Sequence, residues 1–308
     1  MVKGTLAGIL VAGHTSVDHV VSSTGSRTQP GGAALYAAMA AKVFSREVGL
    51  VTAVGKDFEY LDALKGFPSA HILITKAKSS RFDIRYDSRW NARYEVSAFG
   101  AARYLRASRI VSAAAGYSCV HLAPMPPEKV RKVVEGLRRK GGVTISMNSW
   151  DGYMSSREDR NILKRLMSEV DYFIVNEGEI MRLAGVDSTP AAFRVLDPSH
   201  LVVTLGDLGA IYTREGRLEI SPATLGIKGQ VVDTTGAGDA WCGALVGALT
   251  LGEDMTSCVN AASMISALKC RGPNFERIMN LRFGAVEELI DYVVRLREGG
   301  QLTLKKYL

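Results

Sequence analysis

Cysteine, aromatic residues and long apolar runs are all scarce in this chain, and each shortage removes a class of protein. The four cysteines among 308 residues, Cys119, Cys242, Cys258 and Cys270, form no Cys-x-x-Cys pair. They also stand at no metal-ligand spacing from the five histidines, so neither a zinc module nor a disulfide framework is indicated, and a reduced intracellular setting is expected. The apolar stretch Leu6–Ala12 is too short to span a membrane and has no cleavage-site pattern. With no targeting signal, the cytoplasm is the expected location and no membrane partner is expected. No Gly-x-Gly-x-x-Gly follows that stretch, which argues against a dinucleotide-dependent oxidoreductase. The pattern Gly-x-x-x-x-Gly-Lys-Ser/Thr is absent too, so this is not a P-loop enzyme. Repeats and low-complexity tracts are also missing.

What is present is ordinary globular composition, with 47% hydrophobic and 22% charged residues. The net charge of +7 invites a nucleic-acid reading, but the basic residues are scattered. The densest groups, Arg131-Lys132 and Arg138-Arg139-Lys140, read as one solvated helix face. An anionic small substrate or nucleotide suits so modest a positive field better than nucleic acid does.

Apolar strands alternate with amphipathic helices along the chain. Strands are predicted at Leu6–Ala12, Val48–Val54, Cys119–Ala123, Val143–Met147, Tyr172–Val175 and Leu201–Thr204, with a hairpin over Ala210–Ile220. Helices are predicted at Ala33–Phe44, Pro127–Lys140, Arg157–Ser168, Gly236–Leu249, Met255–Lys269 and Phe283–Glu298. That alternation indicates an α/β protein with a mostly parallel sheet covered on both faces. Two segments break the rhythm, Asp18–Gln29 and Ser79–Phe99, the second alternating polar and apolar residues around Asp87-Ser88-Arg89. They predict a small antiparallel flap over the carboxyl ends of the strands, where such folds bind ligands and where closure excludes water.

The run with most chemical content is Asp233-Thr234-Thr235-Gly236-Ala237-Gly238-Asp239, set between a strand-like entry (Gly229–Val232) and an apolar helix. Gly236 and Gly238 remove side chains where the helix begins, which leaves backbone N–H groups free to meet an anion in the positive end of the helix dipole. Asp239 falls in the first helical turn beside that anion site. A hydroxyl against its carboxylate could lose its proton while attacking a phosphorus held by the N–H groups of Gly236, Ala237 and Gly238. The blander alternative is a capped helix start, with Asp239 favoured by the dipole.

This run closely resembles the second signature of the ribokinase-like (PfkB) family of sugar and nucleoside kinases, and other segments follow in the family's order over nearly the whole chain. Gly13-His14-Thr15-Ser16-Val17-Asp18 resembles the substrate-contacting turn, Gly31-Gly32 the glycine pair at the substrate, and Val54-Gly55-Lys56-Asp57 the V-G-x-D segment. Asn176-Glu177-Gly178-Glu179 resembles N-x-x-E, and Val203–Gly209 the strand-turn bordering the nucleotide, with Thr204, Gly206 and Gly209. The resemblance implies a single three-layer α/β/α domain over 1–308, with lid strands from about 18–29 and 79–99. It implies ATP-dependent phosphorylation of a small polyhydroxylated acceptor, with Asp239 as general base. Asn176 and Glu179 would organise phosphate and hydrated Mg²⁺, although by themselves they read equally well as a helix cap. It also implies a possible K⁺ beside Asp233 and the carbonyl of Thr235, with further carbonyls near Arg271-Gly272.

The departures fall on the substrate side. Ser16 stands where the family commonly has Asn, Tyr36 stands where it has another, and Asn148-Ser149-Trp150-Asp151 replaces an expected Asp-x-Asn. Loss of those amides weakens the case for ribose and leaves a sugar, a cyclic polyol, a nucleoside or a sugar phosphate as acceptor. Tyr36 could meet the substrate or cover the pocket wall. Arg81, Arg85, Arg89 and Arg93 recur along the flap; a solvated face is the plainer reading, and a substrate-phosphate contact through Arg85 is the other. Exposed apolar flap residues would suit a homodimer through the lid. A catalytically silent sugar-binding protein is the contrasting class, but such a chain is expected to lose Asp239 or a glycine of the anion site, and this one keeps both.

Overall fold

The first strand explains the layering. β1 (Ile9–Ala12) is buried at every position, and its residues alternate between two cores, Ile9 and Val11 toward one and Leu10 and Ala12 toward the other. Only a strand in the middle of a sheet covered on both faces reads this way. The computed structural model describes residues 8–23, 25–196, 201–214, 216–223 and 230–305, with side chains left aside at 96 and 297–305. After β1 come β2 (Ser16–Ser22), β3 (Gly25–Gly31), α1 (Ala33–Ala41), β4 (Val48–Gly55) and β5 (Ile72–Thr75). Next are β6 (Ser80–Tyr86), β7 (Ala92–Ala98), α2 (Ala107–Ala113), β8 (Cys119–Leu122), α3 (Pro127–Lys140), β9 (Thr144–Asn148) and α4 (Arg157–Glu169). The chain continues through β10 (Tyr172–Asn176), α5 (Glu177–Ala184), α6 (Thr189–Leu196), β11 (Leu201–Thr204), β12 (Gly209–Arg214) and β13 (Arg217–Pro222). It ends in α7 (Ala237–Leu249), α8 (Met255–Lys269) and α9 (Val286–Lys305).

The main sheet has nine strands in the order β13-β12-β11-β10-β9-β8-β1-β4-β5. All neighbours are parallel except β11–β12 and β12–β13. Strand order reverses at β1, which has β8 on one side and β4 on the other, and that reversal opens a crevice at the carboxyl edge. A second sheet, β3-β2-β6-β7, comes from the two segments that broke the sequence rhythm. Its β2–β6 pair is parallel and its other pairs are antiparallel.

Two helices that bound the crevice approach each other closely. A Cβ on Gly243 of α7 would lie 1.9 Å from the carbonyl oxygen of Ala37 in α1, so only glycine lets these backbones touch. The Ala/Gly-rich faces of α1 and α7 thereby hold the start of both helices in one fixed relation.

Several sequence boundaries need correction. Residues 6 and 7 of the expected first strand lie outside the described residues, as does Gly229. The expected strand over Gly229–Val232 does not form at 230–232, where the chain is irregular and Val232 N–H bonds the Cys270 carbonyl at 2.8 Å. The last helix runs from Val286 to Lys305 rather than from Phe283 to Glu298, and Phe283 N–H bonds the carbonyl of Val43 at 2.8 Å, tying that residue to the chain after α1. Among the described residues, no helix is long and apolar enough to cross a membrane.

Candidate active site

The carboxyl ends of the parallel strands and the underside of the small sheet enclose a cleft of about 960 Å³. His14 follows β1, Pro124 follows β8, and Asn148, Asn176 and Thr204 close β9, β10 and β11; all five line it. The N-caps of α1, α5 and α7 (Gly32, Asn176 and Gly236) line it as well. Helix N-termini that share one cleft lend it positive potential without a cationic side chain.

On the α7 side, Gly236 caps the helix with φ 70°, and a Cβ there would sit 2.2 Å from the Tyr36 ring. Gly238 has nothing within 4 Å of its missing Cβ, so its backbone faces open space. Asp239 is partly buried, and its Oδ1 accepts the Asn148 amide at 3.0 Å. Burial pushes the Asp239 carboxyl up from its ordinary range, opposed by the Asn148 hydrogen bond and the charge of Lys269. The hydroxyls of Thr234 and Thr235 are buried in the turn beside the Tyr86 hydroxyl, without a hydrogen bond of good geometry. Such donors, beside a glycine turn at a helix N-terminus, fit a phosphoryl group.

On the α1 side, Asp18 is 3% exposed and takes the Ser16 hydroxyl at 2.6 Å. Burial raises its carboxyl to about 7 despite the Ser16 and Gly32 hydrogen bonds, with Asp233 and Asp239 adding like charge. A Cβ on Gly31 would lie 1.8 Å from Asp18 Oδ2, and one on Gly32 (φ 95°) 2.5 Å from the His14 carbonyl. The glycine pair therefore makes room for the acid and for the preceding turn; Gly31 itself does not line the cleft.

Asn176 and Glu179 form a capping box at α5. Glu179 N–H donates to Asn176 Oδ1 and Asn176 N–H to Glu179 Oε2, both at 2.9 Å. The helix-cap reading of this pair is thus realised, yet both residues also line the cleft. Burial raises the Glu179 carboxyl to about 8, and the Asn176 backbone bond opposes it. Among the described residues no group of three or more His, Cys, Asp or Glu could cage a metal. A single carboxylate beside a phosphate site does fit Mg²⁺, which keeps most of its waters.

Behind the α7 turn lies a network of contacts that motif reading missed. Asp233 is fully buried, with Oδ1 accepting Thr235 N–H at 2.9 Å. Its Oδ2 accepts Asn274 N–H at 2.9 Å and Gln29 Nε2 at 3.2 Å, and faces Arg27 Nη2 at 3.1 Å and Lys269 Nζ at 3.4 Å. Burial alone would raise this carboxyl; Lys269, Thr235 and Arg27 outweigh it and hold it at about 2. One signal pointed to Lys269. It continues the buried register Ala262, Ile265, Leu268 of α8, where a lysine needs a buried partner.

The roof of the cleft is aromatic. Phe82, Tyr94, Phe99, Trp150 and Tyr153 line it, with Tyr94–Trp150 and Trp150–Tyr153 centroids 5.5 Å apart and Phe99 stacked on Tyr153 at 6.1 Å. At the hairpin tip Trp90 takes φ 64°, a costly conformation for a bulky residue, and its ring lies 5.6 Å from Tyr86.

Four expected binding residues either lie outside the cleft or are engaged by protein neighbours. Arg85 points away from the cleft and pairs with Glu95 at 3.0 Å; on β6 the inward positions are Phe82, Ile84 and Tyr86, so strand alternation turns the arginines outward. Tyr36 lines the cleft but is only 1% exposed, and its hydroxyl accepts Gln29 Nε2 at 3.1 Å. Gly209 is a turn residue outside the cleft lining, its φ of 112° needed where β12 passes Ser221. Asn148 does line the cleft, but its amide is engaged by Asp239. Ser16, Asp18, Gly32, Thr204, Gly206 and Thr235 all line the cleft as expected.

A doubly covered parallel sheet, a glycine turn at a helix N-terminus and an adjacent carboxylate together define a ribokinase-like phosphotransferase with an alcohol group as acceptor. The family profile described as pfkB family carbohydrate kinase matches residues 9–276, and the chain belongs to that family. It is 29% identical over 262 residues to a cytidine kinase of Thermococcus kodakarensis, covering 82% of this chain and 91% of that protein. It is 28% identical over 281 residues to a nucleoside kinase of Methanothermobacter thermautotrophicus, covering 84% and 88%. The fold is similar to that of Burkholderia thailandensis nucleoside kinase in complex with inosine, at TM-score 0.74, 20% identity and coverage of 88% and 94%. It is also similar to ribokinase from Cryptococcus neoformans in complex with ADP, at TM-score 0.76, 20% identity and coverage of 92% and 99%.

Proposed function

We propose that this chain is an ATP-dependent nucleoside kinase acting on a hydroxyl of the sugar. The observation that carries this reading is the aromatic roof over Asp18. In a chain with only 7% aromatic residues, Phe82, Tyr94, Phe99, Trp150 and Tyr153 converge on one cleft. A free sugar needs hydrogen-bonding amides, whereas a planar base needs π faces. The nucleoside-kinase relatives support the same choice, which had stood as the alternative to a sugar or cyclic polyol.

In this mechanism Asp18, steadied by Ser16, holds a sugar hydroxyl while the base lies among the aromatics. Asp239 takes the proton of the acceptor hydroxyl as its oxygen attacks the γ-phosphorus of ATP. The bond from that phosphorus to the β–γ bridging oxygen breaks, and ADP leaves. The N–H groups at Gly236–Gly238 stabilise the charge on the transferred phosphoryl. The nucleotide phosphates run past Asn176, Thr204 and Gly206; Glu179 is the residue that would hold hydrated Mg²⁺, which would neutralise phosphate charge. The raised Asp239 carboxyl makes a stronger base than an exposed aspartate, and a positioned base contributes about 10²–10⁴-fold to rate.

An ADP-release screen across nucleosides, free sugars, cyclic polyols and sugar phosphates tests the reading. Turnover with nucleosides at the highest kcat/KM is expected; a preference for a free sugar or polyol would overturn it.

A further inference from the structure

The resemblance of the α7 turn to its family implies a monovalent cation beside Asp233, yet the residues of this chain do not fit one. The two oxygens of Asp233 that such an ion would use already face an ammonium group. Lys269 Nζ donates to the Asp233 main-chain carbonyl at 2.8 Å and lies 3.4 Å from its Oδ2. Lys269 is 0% exposed, so its amino group is a fixed part of the interior rather than a solvated side chain folded back; burial lowers its pKa, and the Asp233 carboxylate against it opposes that and favours the ammonium form. Arg27 Nη2 lies against the same oxygen at 3.1 Å. One carboxylate thus already has two cationic partners, and a third positive charge in that buried space would meet uncompensated repulsion.

The ammonium also stands where a cation has most leverage on the turn. Asp233 begins the turn, Thr235 N–H is held by the same carboxylate, and Gly236 caps α7. The neighbouring Cys270 carbonyl accepts Val232 N–H at 2.8 Å and Asp233 N–H at 3.3 Å, so the end of α8 grips the irregular segment entering the turn. Lys269 itself does not line the cleft and cannot touch substrate.

We propose that Lys269 is a tethered substitute for the monovalent cation: its ammonium fixes the anion-binding turn, and the enzyme works without added K⁺. This rests on the kinase reading above for the role of the turn, though not for the identity of the cation. An ion in solution can be lost and regained, whereas a side chain on α8 is always at unit occupancy, so turn geometry becomes independent of salt composition. Lys269 is a positioning residue in this account.

The test replaces tetramethylammonium chloride by potassium chloride at constant ionic strength and follows both the melting temperature and kcat of the wild-type chain. Neither is expected to change. In Lys269→Ala the cavity is open to a free ion, so kcat is expected to fall about 100-fold, the order of loss for a misplaced reacting geometry, and to recover with K⁺ or methylammonium. A wild type that K⁺ activates or stabilises would overturn the proposal, as would a Lys269→Ala enzyme of wild-type kcat in tetramethylammonium. The wild-type melting titration decides the matter even if the variant does not fold. It also needs no turnover, so a failure of the kinase reading would appear separately, as absent phosphoryl transfer with an unchanged cation response.

Discussion

Asn148 donates its side-chain amide to Asp239 at 3.0 Å, joining the end of β9 to the first turn of α7. This bond fixes one carboxylate oxygen and stabilises the charged form of the acid. In Asn148→Ala that stabilisation goes, the Asp239 pKa rises further, and the base is deprotonated only at higher pH. The acidic limb of the kcat/KM–pH profile is therefore expected to move upward, a shift read directly from rates across pH; an unmoved limb would separate Asn148 from the base.

Asp239→Asn keeps the size of the side chain and removes its basicity. Turnover is expected to fall by about 10²–10⁴-fold, while the affinity for ATP stays near wild type. Steady-state rates and calorimetric titration check the two halves independently, and full activity in this variant would exclude the mechanism.

The two glycines of the turn should separate by phenotype. Gly236→Ala meets the Tyr36 ring at 2.2 Å in a left-handed backbone, so a loss of about 2–4 kcal/mol in stability is expected. Gly238→Ala meets no protein atom within 4 Å and sits inside α7, so its folding stability is expected to equal or exceed wild type. Its methyl group enters the space assigned to the phosphoryl, so activity should fall all the same. Urea melts paired with rates read both effects; a destabilised but fully active Gly238→Ala would contradict the assignment.

Asp18 gives a pH signature in the protein without ligands. Its folded pKa is raised to about 7 from 3.8. The native state therefore holds the proton more tightly, and this contribution to stability is full below 3.8 and lost as pH rises through 7. Glu179 acts in the same direction, raised from 4.5 to about 8. Asp18→Asn cannot ionise and still accepts the Ser16 hydroxyl, so its melting temperature relative to wild type should climb between pH 5 and 8. A pH-independent difference would mean that Asp18 is not held protonated.

Trp150 should matter for binding more than for chemistry. Stacking on a base contributes about 1–3 kcal/mol, so Trp150→Ala is expected to raise KM for a nucleoside by about 5- to 150-fold with a smaller change in kcat. Equal KM values would remove the aromatic roof from substrate recognition.

Much of this site could be read from the chain because local chemistry forces it. Gly236 and Asp239 are close in sequence, and the need for a positive φ and for free N–H groups at a helix start leaves few residue choices. Gly31 was recognisable as a close-approach glycine, although what approaches is the Asp18 carboxylate rather than a ligand. Arg85 and Tyr36 were ambiguous for a physical reason. Period-two alternation shows that the arginines share a face, but only the packing of β6 shows that the face looks outward. A tyrosine after a glycine pair can face a ligand or a neighbour, and here the α7 turn covers it.

The sequence by itself determined the α/β architecture and the glycine turn from Asp233 to Asp239 at the start of α7. Both follow from short-range rules: apolar periodicity, glycine conformations and helix termini. Tertiary structure decided what surrounds that turn. Gln29, Lys269 and Asn274 reach Asp233 from 204, 36 and 41 residues away, and Asn148 reaches Asp239 from 91. No local pattern encodes such meetings, because they exist only once the sheet order and the α1–α7 contact have brought those segments together.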